Sequence, residues 1–190
     1  MMIDLCNRIV DNDLTREQLL EKVEIKHTTE EDFNDICETL AKAFGLSSKY
    51  EAMFQLINSN VLIEQSVKLT DKENGDIYGL LTFCEYPISK GSPIQIVEKG
   101  LGEYLDGFKQ INGHSFIIDE RLRNIGLDKK MLYFNREFLT DNYDMIWVGV
   151  EESLKSHNYW KRLGFTEIFN IREAVFYMLP LNEKLVQDYL

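Results

Sequence analysis

Cysteine is scarce: Cys6, Cys37 and Cys84 are odd in number and scattered, with no Cys-x-x-Cys pair and only three histidines beside them. That weighs against a disulfide framework and a structural zinc centre, and it points to a reducing cytoplasm. Proline also numbers three, and there is no low-complexity run or internal repeat. With no linker to divide it, the 190-residue chain reads as one domain, 1–190, with 1–22 as a helical N-terminal extension. Basic residues are outnumbered, 21 Lys and Arg against 32 Asp and Glu, for a net charge of −11. A nucleic-acid binder would want the opposite sign for its phosphate contacts. No stretch approaches the ~18 uninterrupted apolar residues of a membrane span. The opening MMIDLCNRIVDND has no basic lead and carries Asp4 and Arg8 in its apolar run, unlike a signal peptide. What is present is a 44% apolar fraction with 12% aromatics, enough for one buried core and too much for wholesale disorder.

Helices and strands alternate. The first 21 residues read as helix, with Thr15 and Gln18 spaced as a capping box. Val23–His27 alternates as a strand. Thr28 or Thr29 then caps a helix with Phe33, Ile36, Cys37, Leu40 and Phe44 on one face and Gly45 at its end. A shorter helix from Lys49 to Asn58 presents Met53, Phe54 and Ile57. Two β-rich runs, Val61–Leu69 and Ile77–Cys84, flank Asn74-Gly75, a pair suited to a tight antiparallel hairpin. Ile94, Val97, Leu101, Tyr104, Leu105 and Phe108 mark an amphipathic helix after Pro93. Next come a strand at His114–Ile118, a helix from Gly126 to about Thr140, and a strand at Met145–Val150 that is apolar enough to be central. A short helix at Leu154–Leu163 closes at Gly164, and strands at Phe165–Ile171 and Ala174–Leu179 follow. The pattern is α/β: a mixed, mostly antiparallel twisted sheet of about seven strands flanked by helices.

The segment that carries chemistry runs from Phe116 to Leu132. A buried strand enters a short loop, Asp119 to Gly126, and leaves directly as a helix. Such a loop aims several backbone N–H groups at one spot, at the positive end of the helix dipole, and can cradle a phosphate or pyrophosphate.

Arg123-x-x-Gly126 in that loop, and Tyr159-Trp160-Lys161-Arg162-Leu163-Gly164-Phe165 after the next strand, together resemble the two signatures of the GNAT N-acetyltransferase superfamily. The resemblance covers about residues 23 to 180. It implies acyl transfer from acetyl-CoA to an amine. It places the pyrophosphate on the amides of Arg123, Asn124, Ile125, Gly126, Leu127 and Asp128, and the pantetheine along Phe116, Ile117 and Ile118. That arm would lie where this strand and Met145–Val150 splay apart at a bulge, and an N–H near Ile118 would polarise the thioester carbonyl.

The sequence departs from the pattern at four positions. Asn124 and Asp128 stand where glycine is commonest, and the Asp128 carboxylate would repel an anionic ligand within a Debye length, with Lys129 and Lys130 to offset it. Ser153 falls where the family often has an asparagine touching the cofactor. Trp160 takes the place of a tyrosine that commonly protonates the leaving thiolate, and an indole N–H is no acid for that task. For proton removal from the amine, His114 lies four residues before Ile118, so both side chains should share one face of the strand. The resemblance puts His114 where some members carry a catalytic histidine. Tyr159 could replace the missing tyrosine if its helix is rotated slightly. Asp119, Glu120 and Glu151 read as solvated charges or helix N-terminal partners, His157 as exposed, and His27 as without a role.

The resemblance thus implies an N-acetyltransferase using acetyl-CoA on a primary amine, a small molecule or peptide, by direct transfer in a ternary complex. Negative charge favours a cationic amine by steering. The family's acceptor site would draw on Phe44–Met53 and Tyr86–Tyr104. The competing readings are a non-catalytic CoA-binding or regulatory module of the same fold, motivated by Asn124, Asp128 and Trp160, and a docking protein that forms a homodimer. No nucleic acid, membrane or metal partner is expected.

Overall fold

A computed structural model describes residues 8–85, 105, 107–151, 157–171 and 174–182. One twisted sheet of seven strands organises them: β1 (Val23–His27), β2 (Val61–Asp71), β3 (Ile77–Cys84), β4 (Gln110–Ile118), β5 (Met145–Glu151), β6 (Thr166–Ile171) and β7 (Ala174–Pro180). Their spatial order is β1-β2-β3-β4-β5-β7-β6. Every neighbouring pair is antiparallel except β4 and β5, which run parallel. The hairpin between β2 and β3 turns at Gly75, whose φ of +81° is the left-handed geometry that glycine takes without strain.

Period-2 patterning sends side chains to two faces. On one face Val67, Leu69, Leu81, Phe83, Ile111, Ile118, Ile146, Val148, Val150 and Tyr177 form a single cluster. It is covered by α1 (Arg16–Lys22), α4 (Leu127–Asn142) and α5 (His157–Arg162) through Leu19, Met131, Leu139 and Trp160. The opposite face is divided. Over β3 and β4, α2 (Phe33–Phe44) and α3 (Lys49–Asn58) bury Ile36, Cys37, Leu40, Ala52 and Leu56 against Ile77, Leu80 and Ile117. Over β5 and its neighbours, Leu105, Met145, Trp147, Phe169, Phe176 and Met178 make a separate cluster. The helix α2 follows a one-turn 3-10 helix (Glu30–Asp32) whose capping box is Thr29 with Asp32, and Gly45 ends it at φ +63°.

Two segments differ from the sequence expectation. Residues 8–15 are not helical, and only Arg16–Lys22 is, capped reciprocally by Thr15 and Gln18. The backbone of residues 9–14 finds partners outside itself: Asp119 accepts from the N–H groups of Ile9 and Val10, and Arg121 donates to the carbonyls of Val10, Asn12 and Leu14. In α3 the buried stripe is Ala52 and Leu56, while Phe54 and Ile57 are 67% and 61% exposed, so two of the three residues expected to pack face outward. The expected helix at Pro93–Lys109 lies mostly outside the described residues; Leu105 is helical and buried, and the helix has ended by Gly107, where φ is +105°. Residues 183–190 also lie outside them.

Candidate functional site

The site begins where two strands part. β4 and β5 are paired only at Gln110–Met145, Ile111–Ile146 and Asn112–Trp147, yet β4 continues to Ile118 and β5 to Glu151. Beyond Asn112 the facing backbone edges therefore diverge and open a wedge. Asn112 sits at its apex, with Nδ2 donating to the Trp147 carbonyl at 3.1 Å and Oδ1 3.3 Å from the Cys84 thiol. Burial pushes that thiol up to about 11, so it stays protonated at neutral pH. Gly113 follows, and a Cβ there would come within 2.8 Å of Val148 Cγ1.

A bulge lies beside the wedge. Thr82 pairs with Ser115 and Phe83 with Gly113, which leaves His114 as the extra residue. The bulge reverses the alternation, so His114 and Ile118 do not share a face as simple period-2 counting predicts. Ile118 joins the cluster under α4, whereas the His114 ring lies 3.4 Å from Thr82 Oγ1 and 3.0 Å from Ser115 Oγ, beside the opposite face. Burial lowers the His114 pKa from 6.5 to about 4, so the imidazole is neutral at pH 7.

The end of β4 leads into a 3-10 turn (Glu120–Leu122) and then the loop. Arg123 folds back and donates from Nε to the Ile118 carbonyl at 3.0 Å. Asn124 has φ +61° and Gly126 φ +81°. Asparagine is among the few residues besides glycine that adopt this conformation readily, which explains how Asn124 stands in a glycine's place. Gly126 is the N-cap of α4 and supplies no side chain, so the first-turn N–H groups of Leu127, Asp128 and Lys129 have no cap partner among the described residues. A Cβ at Gly126 would meet nothing within 4 Å, so the space before the helix is open.

From α5, Tyr159 and Trp160 approach Phe116 of β4, with ring centroids 5.9 and 6.3 Å away. The Trp160 indole is 2% exposed and packs edge-on to Phe165 at 5.1 Å, a core anchor. The Tyr159 hydroxyl is buried without a partner at hydrogen-bonding geometry among the described residues. Burial first, and then the Asp128 carboxylate beside it, push this phenol far above its ordinary value. Tyr159 therefore stays protonated and offers its O–H at the mouth of α4.

Of the other expected residues, Ile117 and Ile118 are buried on opposite faces, so only their backbone can face a ligand. Ser153 lies outside the described residues. Glu120 and Glu151 are exposed, in keeping with solvated charges. His157 is half-buried, not exposed, with Nδ1 2.9 Å from the Tyr177 hydroxyl. Asp119 is fully buried and not a solvated charge; it is the helix N-terminal partner instead, capping the 3-10 turn by accepting from Arg121 N at 3.1 Å. Burial alone would raise its pKa, but hydrogen bonds from the Arg121 side chain and from the Ile9 and Arg121 amides outweigh it and hold the carboxyl below 3.8. The local Asp119–Arg121 pair gave no sign of its other partners, the backbone of Ile9 and Val10, which lie over a hundred residues away.

The sequence matches no protein-family model and no curated protein sequence. Solved structures do match over most of the chain. An arylalkylamine N-acetyltransferase 7 from the yellow fever mosquito superposes with a TM-score of 0.64 at 11% identity, covering 84% of this chain and 88% of that one. The Escherichia coli N-acetyltransferase YhbS, solved with CoA, gives 0.59 at 19% identity over 86% and 83%. The ribosomal-protein-S18-alanine N-acetyltransferase of Escherichia coli gives 0.56 at 13% over 84% and 94%. The fold is the GNAT fold. In GNAT terms, the parted β4 and β5 and the loop into α4 are the elements that the sequence resemblance singled out.

Those elements fit the diphosphate and pantetheine arm of a coenzyme A. Two left-handed residues and an uncapped helix give an anion-binding backbone, and the buried Tyr159 hydroxyl gives an O–H donor beside the Asp128 carboxylate. Asp128 is a group of opposing sign in the first turn of α4, and Lys129 and Lys130 stand next to it on the exposed side.

Proposed function

We propose that residues 1–190 form one acetyl-CoA-dependent N-acetyltransferase domain that acts on a primary amine in the cytoplasm. The observation that carries this reading is the wedge between β4 and β5 opening onto the uncapped N-terminus of α4. When bound, acetyl-CoA supplies an activated thioester acetyl group. The amides of Asn124 to Asp128 would hold phosphate oxygens, the Arg123 N–H being bonded to the Glu120 carbonyl, and the edge of β4 from Gly113 to Ile118, apart from the Ile118 carbonyl that Arg123 Nε occupies, would offer backbone hydrogen bonds to an extended arm. The amide near Ile118 stabilises negative charge that develops on an acyl oxygen. His114, neutral at pH 7, accepts a proton from the amine directly or through water. Tyr159, buried beside Asp128 of the first turn of α4, keeps its O–H as a donor there. Holding amine and thioester together supplies much of the acceleration, up to roughly 7–11 kcal/mol. One weak proton-transfer group, at about 10²–10⁴-fold, is compatible with turnover.

The thermal midpoint with saturating acetyl-CoA, against ATP as a control anion, tests the reading. A hundredfold excess over Kd stabilises by about 2.7 kcal/mol, a shift of several degrees at this size. A shift specific to acetyl-CoA, followed by free-thiol release with an amine from a cationic panel, supports it; no shift refutes it. Trp160, deeply buried where the family carries its acid, favours a second reading, a CoA-binding module without catalysis. A shift with no thiol release from any amine would select that one.

A further inference from the structure

The N-terminal segment Ile9–Leu14 crosses the end of the sheet where β4 finishes. Ile9 is buried among the α2 side chains on one face, and Leu14 packs against the cluster on the other. Between them a buried ion pair gathers both the segment and the turn that precedes the loop. Asp119 accepts from Ile9 N at 2.9 Å, from Arg121 N at 3.1 Å and from Arg121 Nε at 2.8 Å. Arg121 then donates from Nη2 to the Val10 carbonyl at 2.9 Å, and from Nη1 to the Asn12 carbonyl at 2.9 Å and side-chain oxygen at 2.7 Å. From α1, Arg16 Nε reaches the Arg121 carbonyl at 2.7 Å, and Asn12 Nδ2 reaches the Tyr78 hydroxyl at 2.6 Å. The turn so held ends at Arg123, the residue before Asn124 enters the left-handed region.

Neither half of this contact is satisfied alone. Without the segment, the Arg121 fork loses its carbonyl acceptors and Asp119 loses an amide donor, and buried charges tolerate such losses poorly. The turn keeps its own bonds, Leu122 N to the Asp119 carbonyl and Arg121 to the Asp119 carboxylate, but the docked segment satisfies the rest of both side chains and so favours that conformation, and the loop follows the turn directly. We propose that Ile9–Leu14 is a strap that fixes the anion-binding loop Arg123–Gly126, with Asp119 and Arg121 as positioning residues. The inference rests on the transferase reading for what the loop binds, but not for the coupling between strap and loop.

The test uses the full-length protein and two readouts. Amide exchange is measured at Leu122, Arg123 and Lys130, whose N–H groups bond to Asp119, Glu120 and Gly126 carbonyls, in wild type and Arg121→Gln. CoA affinity is measured by calorimetry on the same samples. The strap predicts faster exchange at those amides with protection in the β5–β7 ladder retained, and a CoA Kd raised about tenfold, within the usual range of coupling between sites. Unchanged exchange at the loop, or loss spread evenly over β5 and β7, overturns it. Should Arg121→Gln fail to fold, Asn12→Ala leaves the buried pair intact and removes the strap's side-chain bonds to Arg121 Nη1 and the Tyr78 hydroxyl. Loop exchange in that variant must still rise, and an unchanged rate there overturns the proposal. If loop exchange rises in Arg121→Gln while wild type binds no CoA, the transferase reading falls and the strap stands.

Discussion

His114 is kept neutral by its surroundings, and that has a cost in acid. Its folded pKa of about 4 lies below the ordinary 6.5. Above pH 6.5 both folded and unfolded chains carry it neutral. As pH falls from 6.5 towards 4, the unfolded chain takes up a proton that the folded one refuses, so stability drops, by about 3 kcal/mol for this group alone. His114→Gln should flatten that part of the pH profile in denaturant titrations at pH 7 and pH 4.5; an unchanged slope would show that another group carries it. Tyr159 presents the converse case. A buried hydroxyl without a partner destabilises by about 1–3 kcal/mol, so Tyr159→Phe should raise the thermal midpoint of the free protein. The same variant should show a smaller midpoint shift with acetyl-CoA, because the lost O–H is one that a ligand would satisfy. A lowered free-protein midpoint would mean that the hydroxyl already has a partner. The sequence marked both residues through their place beside the loop. It did not show the bulge that turns His114 away from Ile118's face, because the change of phase between Ile111 and Ile118, which share one cluster, falls at Asn112-Gly113-His114-Ser115, where no aliphatic side chain marks it.

Strands and helices were legible where local chemistry decides them. Gly45 and the apolar spacing of α2 each specify one geometry, and each is found; the hairpin at Asn74-Gly75 is found too, but as a longer loop in which only Gly75 is left-handed. The N-terminal helix failed because its residues 8–15 satisfy their backbone on Asp119 and Arg121, a partner chosen by tertiary contact. In α3 the spacing of Met53, Phe54 and Ile57 was read without knowing which side meets the sheet, and Leu56 and Ala52 meet it instead. Two predictions belong to this scale. At the point where β4 and β5 part, Gly113→Ala would press a methyl on Val148 Cγ1. It should destabilise by about 1–3 kcal/mol, and Val148→Ala in the same chain should recover part of that loss, a non-additivity that a double-mutant cycle reads directly. Full additivity would deny the contact. In the loop, Asn124→Gly should be close to neutral, while Asn124→Ala should cost about 1 kcal/mol, since only the second pays for a left-handed backbone with a Cβ and no local hydrogen bond.

At the scale of the whole molecule, alternation of elements gave the strand count and the mixed sheet, and the two motifs gave the superfamily likeness. The pairing order β5-β7-β6 rests on strand contacts up to 35 residues apart, and the crossing of the N-terminal segment from one face to the other rests on contacts more than a hundred residues apart, which no short window of sequence contains. The charge, by contrast, is a property the sequence states outright. With a net −11, the field around the folded chain attracts cations over about a Debye length, ~10 Å at 0.1 M salt. If the acceptor is a cationic amine, steering should raise its encounter rate, and the effect should be screened by salt. The KM of a dicationic amine should then rise several-fold between low salt and about 0.3 M, while that of a neutral aromatic amine stays nearly constant. The KM of acetyl-CoA should move the other way, since screening relieves repulsion between an anionic ligand and an acidic surface. Opposite salt responses for the two substrates would assign the charge a role in choosing the acceptor. Parallel responses would leave recognition to short-range contacts at the wedge, where the field of the whole chain has no part.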